Sequence, residues 1–401
     1  MATNSGIGFA ENTSILMYNA TTKKIQDIKI GDEIMGPGAI PKTITKVIQR
    51  RDKMYDIISV KGTPYTVPGN HILALKATNA NGIIWVIKDE SYRVAWLENF
   101  KIKTKFFSIT KFGSKLDACT AAKKFQKNEV PKHEGYTKYG AIVKISVNNF
   151  MKLSKRIQRL YKGFSTGIKI EEKEIDVDPY ILGYWLGDGT SGSTGITTAE
   201  PEIVEYFENY AEENNLEFKK NGNSKYGYYV TSGTFYGHYG RNPFLNFLKK
   251  YDLLNNKHIP DDYKMNSSEN RLKLLAGLID SDGYNMRNTY DFVFKSEKLA
   301  DDTIFLARSL GFKALKTKCK KTCTNSSRGR VTGIYYRFTI YGEGLEKIPS
   351  ILERKQAHKR EQKKNASVTG IKIKSAGKQD YYVLETDTNR FLLDDFTVVH
   401  K

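Results

Sequence analysis

Two carboxylates 94 residues apart, Asp188 and Asp282, each stand directly before a glycine at the end of a short apolar run. The second run, 274–283, reads LLAGLIDSDG and begins like an apolar helix with Ala276 and Gly277 on one side, where a second helix can approach to backbone contact. It delivers Asp282 from its C-terminal end, and Gly283 is expected to turn the chain there. The first run, 178–189, reads DPYILGYWLGDG: Asp178 is an N-cap candidate, Pro179 suits the first turn, and apolar residues surround Gly183. Aligned on the terminal Asp-Gly, Gly183 falls on Gly277 and Asp188 on Asp282. Two such helices packed side by side bring the acids together, and like charges in proximity are unfavourable unless a cation lies between them. The pair therefore reads as a divalent-metal site.

Residues 275–283, LAGLIDSDG, differ in one residue from the signature of the LAGLIDADG homing endonucleases, and LGYWLGDG at 182–189 resembles the first motif of the yeast-type intein endonucleases. The resemblance implies two αββαββα halves related by a pseudo-twofold axis through the motif helices. It implies catalytic divalent ions, Mg2+ (or Mn2+), held by Asp188 and Asp282 with Gly187 and Ser281 beside them. Lys257, in NKHIP at 256–260, matches the position of a catalytic lysine in that family. Lys355, in ERK at 353–355, is the best-placed candidate for the other half. The implied reaction is hydrolysis of both strands of a long specific DNA site, one strand per acid, leaving short 3′ overhangs. Two motifs in one chain predict a monomer.

The elements that must position these groups lie in a chain of 401 residues with 39% hydrophobic content, enough for two or three domains with cores. A net charge of +20 favours an anionic partner. Three cysteines, Cys119, Cys319 and Cys323, give no disulfide framework and point to a reducing compartment. No apolar run reaches membrane-spanning length, and MATNSGIG at the start lacks a signal-peptide core. A soluble intracellular protein is expected, nuclear if eukaryotic, with no membrane partner.

Residues 8–77 read as all-β, with short apolar runs at 14–17, 44–48 and 54–58 between turn formers. Their order resembles the opening of intein (Hint) domains, with Gly8 at the nucleophile position and His71 at the splicing histidine. A β-hairpin pattern of 381–384 with 391–400 about a turn at 387–389 resembles the closing intein blocks, ending in His400 and Lys401. Both ends resemble one domain, which implies an insertion. Gly8 has no thiol or hydroxyl for an acyl shift and Lys401 no amide to cyclise, so the chain as written is expected not to splice. The alternatives are a bifunctional intein inactivated at Gly8 and Lys401, and a DNA-binding relic that does not cut. A hedgehog-like autoprocessing module fails for want of a thiol.

Between 84 and 170 stand 19 Lys+Arg against 6 Asp+Glu, interleaved with aromatics. Lys101, Lys103, Lys105, Lys123, Lys124, Lys155, Arg156 and Arg159 are the candidate phosphate contacts, on strands and on basic helices at 121–125 and 154–162. Within the endonuclease each half should carry a four-strand saddle for the major groove. Strands are expected at 227–231, 290–294 and 333–341, and helices at 201–214, 296–310 and 343–352. The expected fold is α+β and multidomain: an all-β Hint horseshoe (1–83 and 356–401) split by a basic DNA-recognition region (84–170) and a two-repeat LAGLIDADG endonuclease (171–355).

Overall fold

A computed structural model describes residues 8–78, 82–232, 242–323, 331–361, 365–386 and 390–400. Strands from the two ends of the chain share one sheet. Phe9–Ala10 pairs antiparallel with Ile371–Thr386, Phe9 opposite Tyr382, and the latter strand runs against Ile40–Ser59 from Ser59 opposite Ile371 to Ile44 opposite Thr386. The separate strands expected at 44–48 and 54–58 are thus one. The charged residues between them keep the register with residues 378–382, Arg51 opposite Asp380 at 3.6 Å and Lys53 opposite Lys378. The expected terminal hairpin is also re-paired. Residues 381–384 stay in the long ribbon, while Arg390–Leu392 pairs with Val398–His400. The turn expected at 387–389 lies outside the described residues.

Residues 82–137 of the basic stretch form a small unit of their own, whereas Ile142–Ser146 pairs with Ile72–Ala77 and Ile145, Val147 and Phe150 belong to the core of the β-rich ends. Gly82–Val86 and Lys101–Ser108 flank Ser91–Glu98, and the helix Lys115–Asn128, N-capped by Ser114, covers them. Val94, Trp96, Phe107, Ala122 and Val130 are its core. The basic helix expected at 154–162 is only Lys155–Gln158. The chain then turns into the strand Tyr161–Phe164, because Tyr161, Gly163 and Phe164 are buried against the sheet strand Ile72–Ala77 and its surroundings.

Two helices, Pro179–Asp188 and Ser268–Asp282, lie at the centre of the largest core. Beside the first pack the helix Pro201–Glu213 and a sheet ordered Gly195–Thr197, Gly227–Thr231, Glu217–Lys220. Beside the second pack Glu297–Ser309 and a four-stranded sheet ordered Tyr284–Asn285, Tyr290–Phe294, Val331–Tyr341, Lys313–Cys323. Four strands were expected in each half; the first has three among the described residues. Ser296 caps the Glu297–Ser309 helix and Gly311 follows it at φ +93°, a conformation open to glycine without strain. The helix expected at 343–352 is a single 3-10 turn, Leu345–Lys347, because Gly344 at φ +89° and Pro349 bracket it too closely for more.

The β-rich ends have a separate core containing Ile15, Ile44, Ile57, Leu73, Leu384 and Val399. A third cluster joins the two: Leu16, Met35 and Phe396 pack with Phe164 and Met265, and the Phe305 and Phe396 rings lie 5.3 Å apart. Among the described residues no helix is long and apolar enough to cross a membrane.

Candidate active site

The two central helices touch through backbone. A Cβ on Gly183 would lie 2.2 Å from the Leu274 carbonyl oxygen, and one on Gly277 would lie 2.2 Å from that of Tyr180 and 2.6 Å from the Tyr184 nitrogen. The small residues therefore set the interhelical distance. The first helix starts on Asp178, whose carboxylate accepts the Tyr180 and Ile181 amides, with Pro179 in its first turn. The second starts on Ser267, which caps through the Asn270 amide.

Close packing carries through to the C-terminal ends. A Cβ on Gly187 would meet the Ser281 side chain and sit 3.3 Å from Asp282 Oδ2, so the Asp282 carboxylate lies against the end of the other helix. Burial, and then the charge on Asp282, push the Asp188 carboxyl up to about 6. Burial raises Asp282 as well, opposed by Lys257 and Lys355. Two acids held above the ordinary carboxylate range, one of them by the other, form a site that gains from a cation.

Both candidate lysines stand at this end. Lys257 Nζ donates to the carbonyls of Gly187 at 3.1 Å and Gly189 at 2.7 Å, and Lys355 Nζ donates to those of Ile279, Asp280 and Ser281 at 2.8, 2.7 and 3.0 Å. Gly187 and Ser281 occupy matching positions in the two motifs, so the lysines cap the two helices in corresponding ways. Burial brings Lys257 down to about 8 and lowers Lys355, while the two acids pull the other way in both cases. The Gly187 and Ser281 carbonyls are each engaged by an ammonium, leaving one lone pair apiece. Among the described residues no group of three or more His, Cys, Asp or Glu gathers as a metal cage. The donor set present, two carboxylates and backbone oxygens, suits a hard cation that keeps its own waters.

The glycines after the acids do not reverse the chain: φ is −75° at Gly189 and −77° at Gly283. They give room. A Cβ at Gly283 would meet Ile279 Cα at 2.7 Å, and one at Gly189 the Trp185 carbonyl oxygen at 2.3 Å. Sequence reading also passed over Asp280. This buried carboxylate accepts the Tyr180 hydroxyl at 2.7 Å, the Ser350 hydroxyl at 2.5 Å and the Ile351 amide at 2.7 Å. A carboxylate in a run that otherwise reads apolar was the available signal. Arg271, fully buried, was passed over too; it donates to the carbonyls of Asn266 and Ile168 and to Ser309 Oγ, fastening the chain leading into this unit onto two helices.

A second group of predicted residues lies in the terminal β-structure. His71 is fully buried and edge-on to Phe9 at 4.8 Å; burial, with His400 adding to it, keeps its imidazole neutral down to about 3. His400 is also buried, and Lys401 lies outside the described residues. At Gly8 a Cβ would sit 2.4 Å from the Tyr382 carbonyl oxygen and 2.7 Å from the Tyr381 ring. Gly8→Cys is therefore expected to destabilise the fold by about 1–3 kcal/mol through overpacking. Thermal denaturation of the variant checks this, and an unchanged midpoint would mean that the first strand yields freely.

Lys101, Lys103, Lys105, Lys123, Lys124, Lys155, Arg156 and Arg159 are all exposed on the small basic unit and the segment after it. Lys103 approaches Glu98 at 3.8 Å and Lys105 lies 4.1 Å over the Phe125 ring.

Residues 8–400 match the family model described as Hom_end-associated Hint. A replicative DNA helicase DnaB from Mycobacterium intracellulare is 34% identical over 195 residues, 48% of this chain and 28% of that protein. The chain thus spans less than a third of the length of that curated relative. The homing endonuclease I-DmoI, solved in complex with DNA and Mn, aligns at 15% identity over 41% of this chain and 88% of its own, with a TM-score of 0.27. The Msm DnaB1 intein splicing domain, solved bound with zinc, aligns at 13% identity over 25% of this chain and 74% of its own, with a TM-score of 0.15.

Proposed function

The chain belongs to the Hom_end-associated Hint family, and from that premise we propose that it is a sequence-specific double-strand DNA endonuclease carried in a Hint domain that does not splice. The observation that carries the reading is the meeting of Asp188 and Asp282 at the ends of two helices in backbone contact, each end capped by a lysine. The Hint part would comprise 1–83 and 356–401, the DNA-recognition region 84–170 and the endonuclease 171–355.

Asp188 and Asp282 would hold Mg2+ or Mn2+, which when bound supplies Lewis acidity toward the scissile phosphate. The chain's own groups do the rest. Helix packing fixes the two carboxylates at one spacing, so that two strands of one duplex are addressed together. Lys257 and Lys355 place ammonium charge beside the phosphates, and Lys257, brought down to about 8, can release or accept a proton at Nζ near neutral pH. The sheet faces turned away from the helices, with exposed Tyr229 and Leu315, would meet base edges in the major groove. The eight candidate basic residues within 84–170 would add phosphate contacts that fix register. A monomer with internal pseudo-twofold symmetry suffices for both cuts. Splicing is not expected, since Gly8 offers no nucleophile and the space a side chain would need is filled.

The test is a library of randomised duplex DNA digested with magnesium, the products being sequenced from their ends. Recovery of one long consensus cut on both strands supports the proposal. Tight, salt-sensitive binding with no cuts, on a library shown to contain the bound sequence, would establish a DNA-binding protein instead.

A further inference from the structure

The two lysines cap their helices alike but are held in place by different chemistry. Trp185 of the first helix aligns with Ile279 of the second, and Leu186 with Asp280. Lys257 Nζ lies 5.0 Å over the Trp185 indole, and that indole is itself fixed by donating Nε1 to the Ser193 carbonyl at 3.0 Å. Opposite, Ile279 offers no ring face. Lys355 is placed through Asp280, which takes the Ser350 hydroxyl and the Ile351 amide and so anchors the segment leading into the 3-10 turn Glu353–Lys355. Leu186, in the corresponding place, can accept nothing. Three donors from two parts of the chain, Tyr180 and Ser350–Ile351, converge on Asp280, while Arg354 within the turn itself pairs with Glu200 at 2.6 Å.

We propose that Asp280 and Trp185 are positioning residues of opposite halves, each setting one lysine and thereby governing the cut in one DNA strand. The inference deepens the endonuclease reading and rests on it. Asp280→Asn keeps the side-chain volume but turns an NH2 toward one of three converging donors, so the Ser350–Ile351 anchor slackens. Trp185→Phe keeps an apolar ring but loses the hydrogen bond to Ser193 and presents a weaker face to the ammonium. Displacing a group by about 1 Å near reacting atoms slows a step by up to about a hundredfold. Each variant should therefore slow one strand's cut about ten- to a hundredfold and leave the other within about twofold. Both accumulate nicked duplex, and the nicks fall on opposite strands.

The probe is the duplex recovered from the randomised library with the wild-type protein, labelled with a different fluorophore at each 5′ end and digested with magnesium. Strand-resolved rates come from denaturing gels. Lys355→Met and Lys257→Met identify the strand each lysine serves. The proposal predicts that Asp280→Asn slows the Lys355 strand and Trp185→Phe the Lys257 strand. Ser350→Ala removes the same anchor from its far end and should reproduce the Asp280→Asn bias, which covers the case in which Asp280→Asn does not fold. A general loss of stability slows both strands equally, so equal slowing in Asp280→Asn, Ser350→Ala and Trp185→Phe overturns the proposal, as does slowing of the wrong strand. If the wild-type protein cuts nothing, the endonuclease reading falls and this inference with it; if it cuts and the variants lack bias, only the inference falls.

Discussion

Gly277→Ala is expected to destabilise the protein by about 3–5 kcal/mol, at the upper end for a single methyl. Helix propensity alone gives the opposite sign, because alanine is favoured over glycine by about 1 kcal/mol in a helix interior. Packing decides the outcome. The new Cβ would lie 2.2 Å from the Tyr180 carbonyl oxygen and 2.6 Å from the Tyr184 nitrogen, and both are backbone atoms of a helix whose residues 179–186 are all buried. Neither can rotate away as a side-chain tip would. The helices must part by about 1 Å, which opens voids among Leu274, Leu278, Ile181 and Tyr184 and also spreads Asp188 from Asp282. Cleavage should then fall by about a hundredfold even where the variant remains folded. Gly183→Ala meets the Leu274 carbonyl at 2.2 Å and should behave alike. Thermal denaturation together with cleavage of the selected duplex measures both effects. A wild-type midpoint in either variant would show that the seam is looser than the backbone contacts imply.

The same seam shows what was legible in the sequence. Gly183, Gly277, Asp188 and Asp282 could be placed because each answers a local requirement, small size at a helix crossing or charge at a helix end, and because the chain states that requirement twice in one register. Lys257 and Lys355 were named from their positions relative to the motifs, and the structure puts both against the motif ends. Asp280, the other carboxylate of the second motif, received no role. Its partners Tyr180, Ser350 and Ile351 are 100, 70 and 71 residues away, so nothing near it in sequence announces that a carboxylate in an apolar run is satisfied. Arg271 is the same case with the sign reversed, two of its donors being directed to the Ile168 carbonyl and the Ser309 hydroxyl, 103 and 38 residues away. The errors in the β-rich ends have another cause. Strand pairing is decided by partners across the chain, so the ribbon formed with residues 371–386 continues through charged residues that in isolation signal a turn.

Asp188→Asn should act on stability and activity in opposite directions. In the fold this carboxyl is raised to about 6, by burial first and by Asp282 second, from an unfolded value near 4. A carboxyl raised on folding opposes the native state wherever it is ionised. The penalty is absent below about pH 4, grows between pH 4 and 6 and is complete above that. It amounts to about 1–3 kcal/mol at pH 7 in the absence of divalent ions. Asparagine carries no such penalty, so in EDTA the variant should melt a few degrees above wild type at pH 7, roughly 2–4 °C per kcal/mol or less for a chain of this size. The two should converge near pH 4. Magnesium should raise the wild-type midpoint and leave the variant's little changed, since half of the carboxylate pair is gone. Cleavage should meanwhile drop by about 10³-fold or more, because several kcal/mol of charge stabilisation at the phosphate is lost and each tenfold is about 1.4 kcal/mol. Melting curves across pH with and without magnesium, beside strand-cleavage rates, separate the two effects. A stability difference that does not vary with pH would show that the gain comes from packing or solvation of the amide, and the charge-repulsion account of the site would have to be abandoned.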